Sequence, residues 1–220
     1  MTPTRGRRLI WISIVHTETD LGSMAAEVRR LHVQKGGLLR WEQHRKAIEG
    51  WWMDVRQHIS ELNLVWSRVR LYQDGLPNCG QEVEIVESLA RAGSLNHQLL
   101  QELVQRGATL VGTESPELLR EEYALAGQSS KTANASRPHL AWRQQQQSQA
   151  LLQKRDRYIA RRIAETLASG ETGLLFLGML HVLPALPADI KVIRQVFASA
   201  STQTRTATPP PRAEGGKPCE

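Results

Sequence analysis

The sequence predicts an α/β fold: a mostly parallel central sheet with helices on both faces and a helical insertion after the first strand. Short apolar runs alternate with helical patterns along the chain. The first and last runs are almost continuously apolar, as strands covered on both faces tend to be. With 40% hydrophobic and 23% charged residues among 220, the chain can bury a full core, which argues against disorder as its main state. No repeat with a period of about 20–50 residues is visible, so a solenoid is disfavoured.

In chain order, the predicted strands are Leu9–Val15, Val69–Gln73, Ala108–Thr113 and Thr172–Leu180. A helix over Ser23–Val33 ends near Gly36-Gly37, a natural stop. The next, over Leu38–Leu62, carries Ile48, Trp52, Val55, Ile59 and Leu62 at alternating spacings of four and three, one apolar stripe. Helices over Gln81–Arg91 and Leu95–Arg106 follow, separated by Gly93 and closed by Gly107. Ser115-Pro116-Glu117 opens another, with Ser as N-cap, Pro at the first helical position and an acid in the first turn. Residues 127–148 are polar and read as a loop leading into a helix over Gln149–Ala168. Residues 1–200 are expected to form one domain, with the helical insertion at about 36–63. The polar tail, 201–220, is expected to be disordered.

The net charge is +6, which raises the question of an acidic partner. The basic clusters at Arg5–Arg8 and Arg155–Arg162 are short and acids are interleaved nearly throughout, so the concentrated basic face of a nucleic-acid binder is missing. Cys79 and Cys219 have no metal-ligand spacing and no motive to pair, which fits a reducing, cytoplasmic location. The stretch RGRRLIWISIVH imitates a signal peptide, but its apolar run is only about eight residues and is broken by Ser13. Nothing approaches the roughly 20 apolar residues of a membrane span.

In an open parallel sheet, ligands bind outside the carboxyl ends of the strands. Each predicted strand delivers a titratable group there: His16 with Glu18 and Asp20, then Asp74, then Glu114, then His181. Two imidazoles and several carboxylates are suited to bind a divalent metal ion or to divide general acid and base work. The helix LLQKRDRYIARRIAETL adds Arg155 and Asp156, with Asp156 on its inner stripe of Leu152, Ile159, Ile163 and Leu167. Its early turns start beside the same edge, where Arg155 could hold an anionic group of a substrate. Plainer roles exist for each residue: Asp74-Gly75 is a common turn, Glu114 favours a helix start, and Arg155–Asp156 is a possible structural ion pair. Asn96-His97 reads as a cap and surface pair, Glu117, Glu121 and Glu122 as a solvated face, and Trp41, Trp51 and Trp52 as packing or an interface. A glycine-rich phosphate loop and a GxSxG elbow are both absent.

The stretches IVHTETD, VGTESPELL, KRDRYIARRI and LLFLGMLH, taken in that order, resemble the motifs of the TraB/Tiki/erythromycin-esterase-like superfamily. The resemblance is scattered over about 170 residues and is strongest at its two ends. The first stretch lacks a glycine before its histidine, and KRD stands where ERD is typical of the family. Carried over by position, the resemblance implies His16, Glu114, Arg155, Asp156 and His181 as site residues. It also implies a metal-dependent or acid/base hydrolase acting on a small-molecule or peptide substrate. In the expected site His16, His181 and Glu114, with Asp74 and either Glu18 or Asp20, surround a divalent ion. The competing expectation is a non-catalytic module, partnering or oligomerising through its Trp-rich helix; a nucleic-acid-processing role is the weaker third.

Overall fold

The computed structural model describes residues 6–17, 19–20, 25–132, 138–195 and 197. Five parallel strands form one sheet: β1 (Arg7–Ile14), β2 (Val69–Gln73), β3 (Thr109–Val111), β4 (Thr172–Gly178) and β5 (Ile190–Gln195), in the order β3-β2-β4-β1-β5. The helices are α1 (Ala25–Glu61), α2 (Glu82–Arg91), α3 (Leu95–Gln105), α4 (Pro116–Thr132) and α5 (Pro138–Thr166). The chain is therefore α/β with an all-parallel sheet, and α1 follows the first strand as expected.

Alternation along the strands divides the core into two layers. On one face Ile10, Ile12, Leu71 and Phe176 pack against Trp51, Trp52, Val55 and Ile59 of α1 and Leu99, Leu100 and Leu103 of α3. On the other, Leu9, Trp11, Tyr72, Leu175 and Leu177 meet Ile159, Ile163 and Leu167, the predicted stripe of α5. β4 lies between β2 and β1, covered on both faces, which explains its unbroken apolar run. Its Gly173 has a packing reason: a Cβ there would stand 2.7 Å from Leu9 Cδ1 and 3.1 Å from Tyr72 Cε2.

Three expectations need correction. The expected polar loop at 127–148 is largely helical: α4 continues to Thr132 and α5 begins at Pro138. Proline at the first helical position explains that start. The largely exposed glutamine run lies along α5 and needs no apolar face of its own, because the buried turns downstream anchor the helix. The last predicted strand stops at Gly178 rather than Leu180, since the chain turns there and the His181 amide donates to the Gly178 carbonyl at 3.2 Å. A fifth strand, β5, is not among the predicted ones. It is an edge strand interrupted by two basic residues, Lys191 and Arg194, and its sequence gives no continuous apolar signal. The break expected at Gly36-Gly37 is present: the two helices meet sharply at Gly37, which has φ 79° and ψ 165°. That left-handed φ suits glycine, and the break brings His32 within stacking range of Trp41 and His44. The tail at 201–220 lies outside the described residues.

Phe176 sits fully buried at the centre of the sheet. Phe176→Ala should cost about 3–5 kcal/mol, read as a lowered urea midpoint with an unchanged slope.

Candidate functional site

Register brings the strand ends together. Ile14 pairs with Gly178 and Gln73 with Phe176, so the residues just past β1 and β2 flank the end of β4. Asp74 stands in the middle. Its Oδ1 accepts from Arg155 Nη2 at 2.8 Å, and its Oδ2 accepts from the Gly178 amide at 2.9 Å. That same Oδ2 lies 3.4 Å from His181 Nε2 and 3.5 Å from His16 Nε2. A Cβ on Gly178 would fall 2.9 Å from Asp74 Oδ2 and 3.5 Å from His16 Nε2, so glycine keeps this space open.

His181 is oriented from behind. Its Nδ1 is 2.7 Å from Asp156 Oδ1, and Asp156 Oδ2 accepts from the Val182 amide at 3.1 Å. With Nδ1–H donated to Asp156, Nε2 is left to face Asp74. Glu114 receives a two-pronged contact from Arg155, Nη2 to Oε1 at 2.5 Å and Nε to Oε2 at 3.0 Å, and the Gly75 amide adds a bond at 3.3 Å. Glu122 Oε1 takes Arg155 Nη1 at 2.5 Å. Arg155 is buried and every one of its nitrogens is engaged, so it holds carboxylates in place and is not free for an anionic substrate, the role expected of it.

These contacts set the protonation states. Hydrogen bonding to Asp74 raises the pKa of His16. Burial opposes the charged ring of His181, yet Asp74 and then Asp156 hold its pKa above the ordinary value. Burial also works against the Asp74 carboxylate, but the two histidines and Arg155 keep its pKa well below the usual range. Burial pushes Glu114 upward against the pull of Arg155. Asp74, Glu114 and His181 each offer a ligand atom within 4.8 Å of the others and could hold a metal ion.

Of the residues expected here, the structure brings together His16, Asp74, Glu114, Arg155, Asp156 and His181. Glu18 lies outside the described residues. Asp20 is elsewhere, because its carboxylate serves a second buried cluster. Oδ2 accepts from the Thr17 amide at 2.7 Å and from Thr17 Oγ1 at 2.8 Å, while Oδ1 takes Ser94 Oγ at 2.5 Å and lies 3.5 Å from His97 Nδ1. His97 is thus buried and not the surface residue expected, although Ser94 does cap α3. Sequence reasoning misses Glu122, since its side chain reads as part of a solvated helix face until α5 packs against α4. It misses Gly178 too, though a glycine closing an apolar strand near a histidine is a visible signal of close approach. No family model, no curated protein and no solved structure matches the chain.

The Asp20 cluster gives a pH prediction. Burial alone would raise the Asp20 carboxyl, but hydrogen bonds from His97, Ser94 and Thr17 bring it down to about 2 from 3.8. The stabilisation is therefore complete above the unfolded value and is lost as pH falls toward the folded one. Asp20→Asn should lower stability at pH 7 by about 2 kcal/mol. It should also flatten the loss between about pH 4 and 2 in acid-unfolding curves.

Proposed function

We propose that the chain is a hydrolase whose site at the carboxyl edge of the sheet binds a divalent metal ion through Asp74, His181 and His16. The observation that carries this reading is the placing of two imidazole nitrogens 3.4 and 3.5 Å from one carboxylate oxygen, Asp74 Oδ2. A tetrahedral ion with bonds of about 2.1 Å holds its ligands about 3.4 Å apart. The contact of His181 Nδ1 with Asp156 is the kind of support that fixes a ligating imidazole in the correct tautomer. Charge points the same way: Asp74, Glu114 and Glu122 gather around a single guanidinium, and Asp156 adds a further carboxylate behind His181. Glu114 is the less apt third ligand, because both of its oxygens are occupied by Arg155.

When bound, such an ion supplies a Lewis acid and lowers the pKa of water toward about 7. The chain's own residues do the rest. Asp156 and Asp74 fix the ring of His181, and Arg155 keeps Asp74 and Glu114 in register. His16, half exposed, stands at the open side, where it can ligate or pass a proton to a departing group. The resemblance to the TraB/Tiki/erythromycin-esterase-like motifs supports hydrolysis, and the substrate is then a small ester, amide or peptide.

Elemental analysis and calorimetric titration of the purified chain with Zn²⁺ and Mn²⁺ test the proposal. About one ion per chain is expected, and a chelator should abolish turnover in an ester and amide screen. His16→Ala should weaken the ion's affinity at least tenfold with the unfolding transition unchanged, since its ring is exposed. Saturating metal with no uptake, or full turnover after chelation, would sink the metal assignment.

Buried Arg155 gives a second test. Arg155→Met leaves three carboxylates without their cation and should cost roughly 3–5 kcal/mol. Arg155→Lys, which keeps the charge but not the fork, should recover only part of that in the same denaturation assay.

A further inference from the structure

A cavity of about 320 Å³ is lined by Thr17, the residue that follows His16. One wall comes from the second half of α1, with Trp41, His44 and Ile48. The other comes from the loop that carries His16, through Thr17 and Thr19, and from the turn between α2 and α3, through Gly93 and Leu95. The Asp20 cluster ties these two loops together, because Asp20 accepts from Thr17 on one side and Ser94 on the other. The wall is therefore held by a buried knot of hydrogen bonds.

Its chemistry is selective. The charged groups lining it, Arg45 and Glu49, neutralise each other at 2.7 Å. The hydroxyl of Thr17 is committed to Asp20. What remains for a ligand is the aromatic edge of Trp41 and His44, with the apolar surface of Ile48 and Leu95. An anion such as a phosphate would find no uncompensated cation among the described lining residues. The volume is at the lower end of the roughly 300–1,000 Å³ of small-ligand pockets, so it suits one side group rather than a whole cofactor.

We infer that this cavity is the recognition pocket of the site, and that it receives an uncharged aromatic side group of the substrate. The inference rests on the hydrolase reading for its biological meaning, but the binding it describes requires neither metal nor turnover. The test is calorimetric or NMR titration of the full chain with N-acetyl-phenylalanine amide, N-acetyl-glycine amide and N-acetyl-aspartate amide. The phenyl compound should bind at least tenfold more tightly than the other two. Thr19→Trp, which fills the cavity, should remove that preference. His44→Ala, which strips one aromatic wall at an exposed position, should weaken the phenyl compound several-fold and leave the glycine compound unchanged. Equal affinity for all three probes, no detectable binding, tighter binding of the aspartate compound, or a preference that survives Thr19→Trp would each overturn the assignment. Metal content and turnover measured on the same samples separate the pocket from the hydrolase reading: a chain that binds no ion yet prefers the phenyl probe loses the second and keeps the first.

Discussion

The buried guanidinium of Arg155 is the point on which this molecule turns. It reaches from α5 to Asp74 at the end of β2, Glu114 after β3 and Glu122 on α4. A cation withdrawn from water needs partners with good geometry, and carboxylates withdrawn from water need the cation. Arg155, Asp74 and Glu114 are therefore mutually dependent, and with the half-exposed Glu122 they tie α4, α5 and two strand ends to one another. With Oδ1 of Asp74 taken by Arg155, only Oδ2 is left to turn toward the Gly178 amide and the two histidines. The polarity of the site follows from how one carboxylate is divided between a structural cation and an open space.

Topology explains why that space lies where it does. From β1 through β2 to β3 the chain winds outward with α1, α2 and α3 on one face. It then returns over the other face through α4 and α5 and inserts β4 between β2 and β1. Strand ends at such a reversal diverge, and the crevice is available for side chains from both neighbours. His16 and Asp74 arrive from the two flanking strands, while Gly178 and His181 come from the inserted one. At Gly178 the side chain that would fill the middle is missing.

Much of this was legible in the sequence, for a physical reason. A strand covered on both faces must be apolar throughout, so β1 and β4 announce themselves, and the polar residue just past each one is where the chain leaves the core. That rule locates His16 and His181, and the residues that follow the two shorter strands add Asp74 and Glu114, without knowledge of strand order. The 3.6-residue period of α5 likewise places Asp156 inward. What fails is whatever depends on partners distant in sequence. Glu122 looks solvated, and stays partly so, until Arg155 reaches it from α5. Asp20, only four residues from His16, is expected in the wrong cluster, because Ser94 and His97 claim it from more than 70 positions away. β5 is held as an edge by pairing with β1, which no local pattern in IKVIRQ reveals. The helical start of α5 at Pro138 fails differently: a polar composition reads as a loop, whereas helix continuity comes from anchoring farther along.

The two histidines are not equivalent, and their difference gives the site a direction. The His181 side chain is only 4% exposed, with Asp156 behind one ring nitrogen and Asp74 before the other. Its ring can hardly reorient without leaving two carboxylates unpaired. The His16 side chain is 41% exposed, and among the described residues Asp74 is the one carboxylate paired with its ring. Its backbone is nonetheless constrained, since Trp52 Nε1 donates to the carbonyl of neighbouring Val15 at 3.2 Å and Thr17 is bound by Asp20. A fixed imidazole at the inner wall and a solvent-facing one on a restrained loop leave one open side from which a ligand can approach. The aromatic-walled cavity is lined by Thr17 and Thr19 of the same loop. The same loop thus contributes a titratable group to the polar site and two threonines to the apolar pocket, so the stability of the Asp20 cluster and the alignment of the two are one constraint.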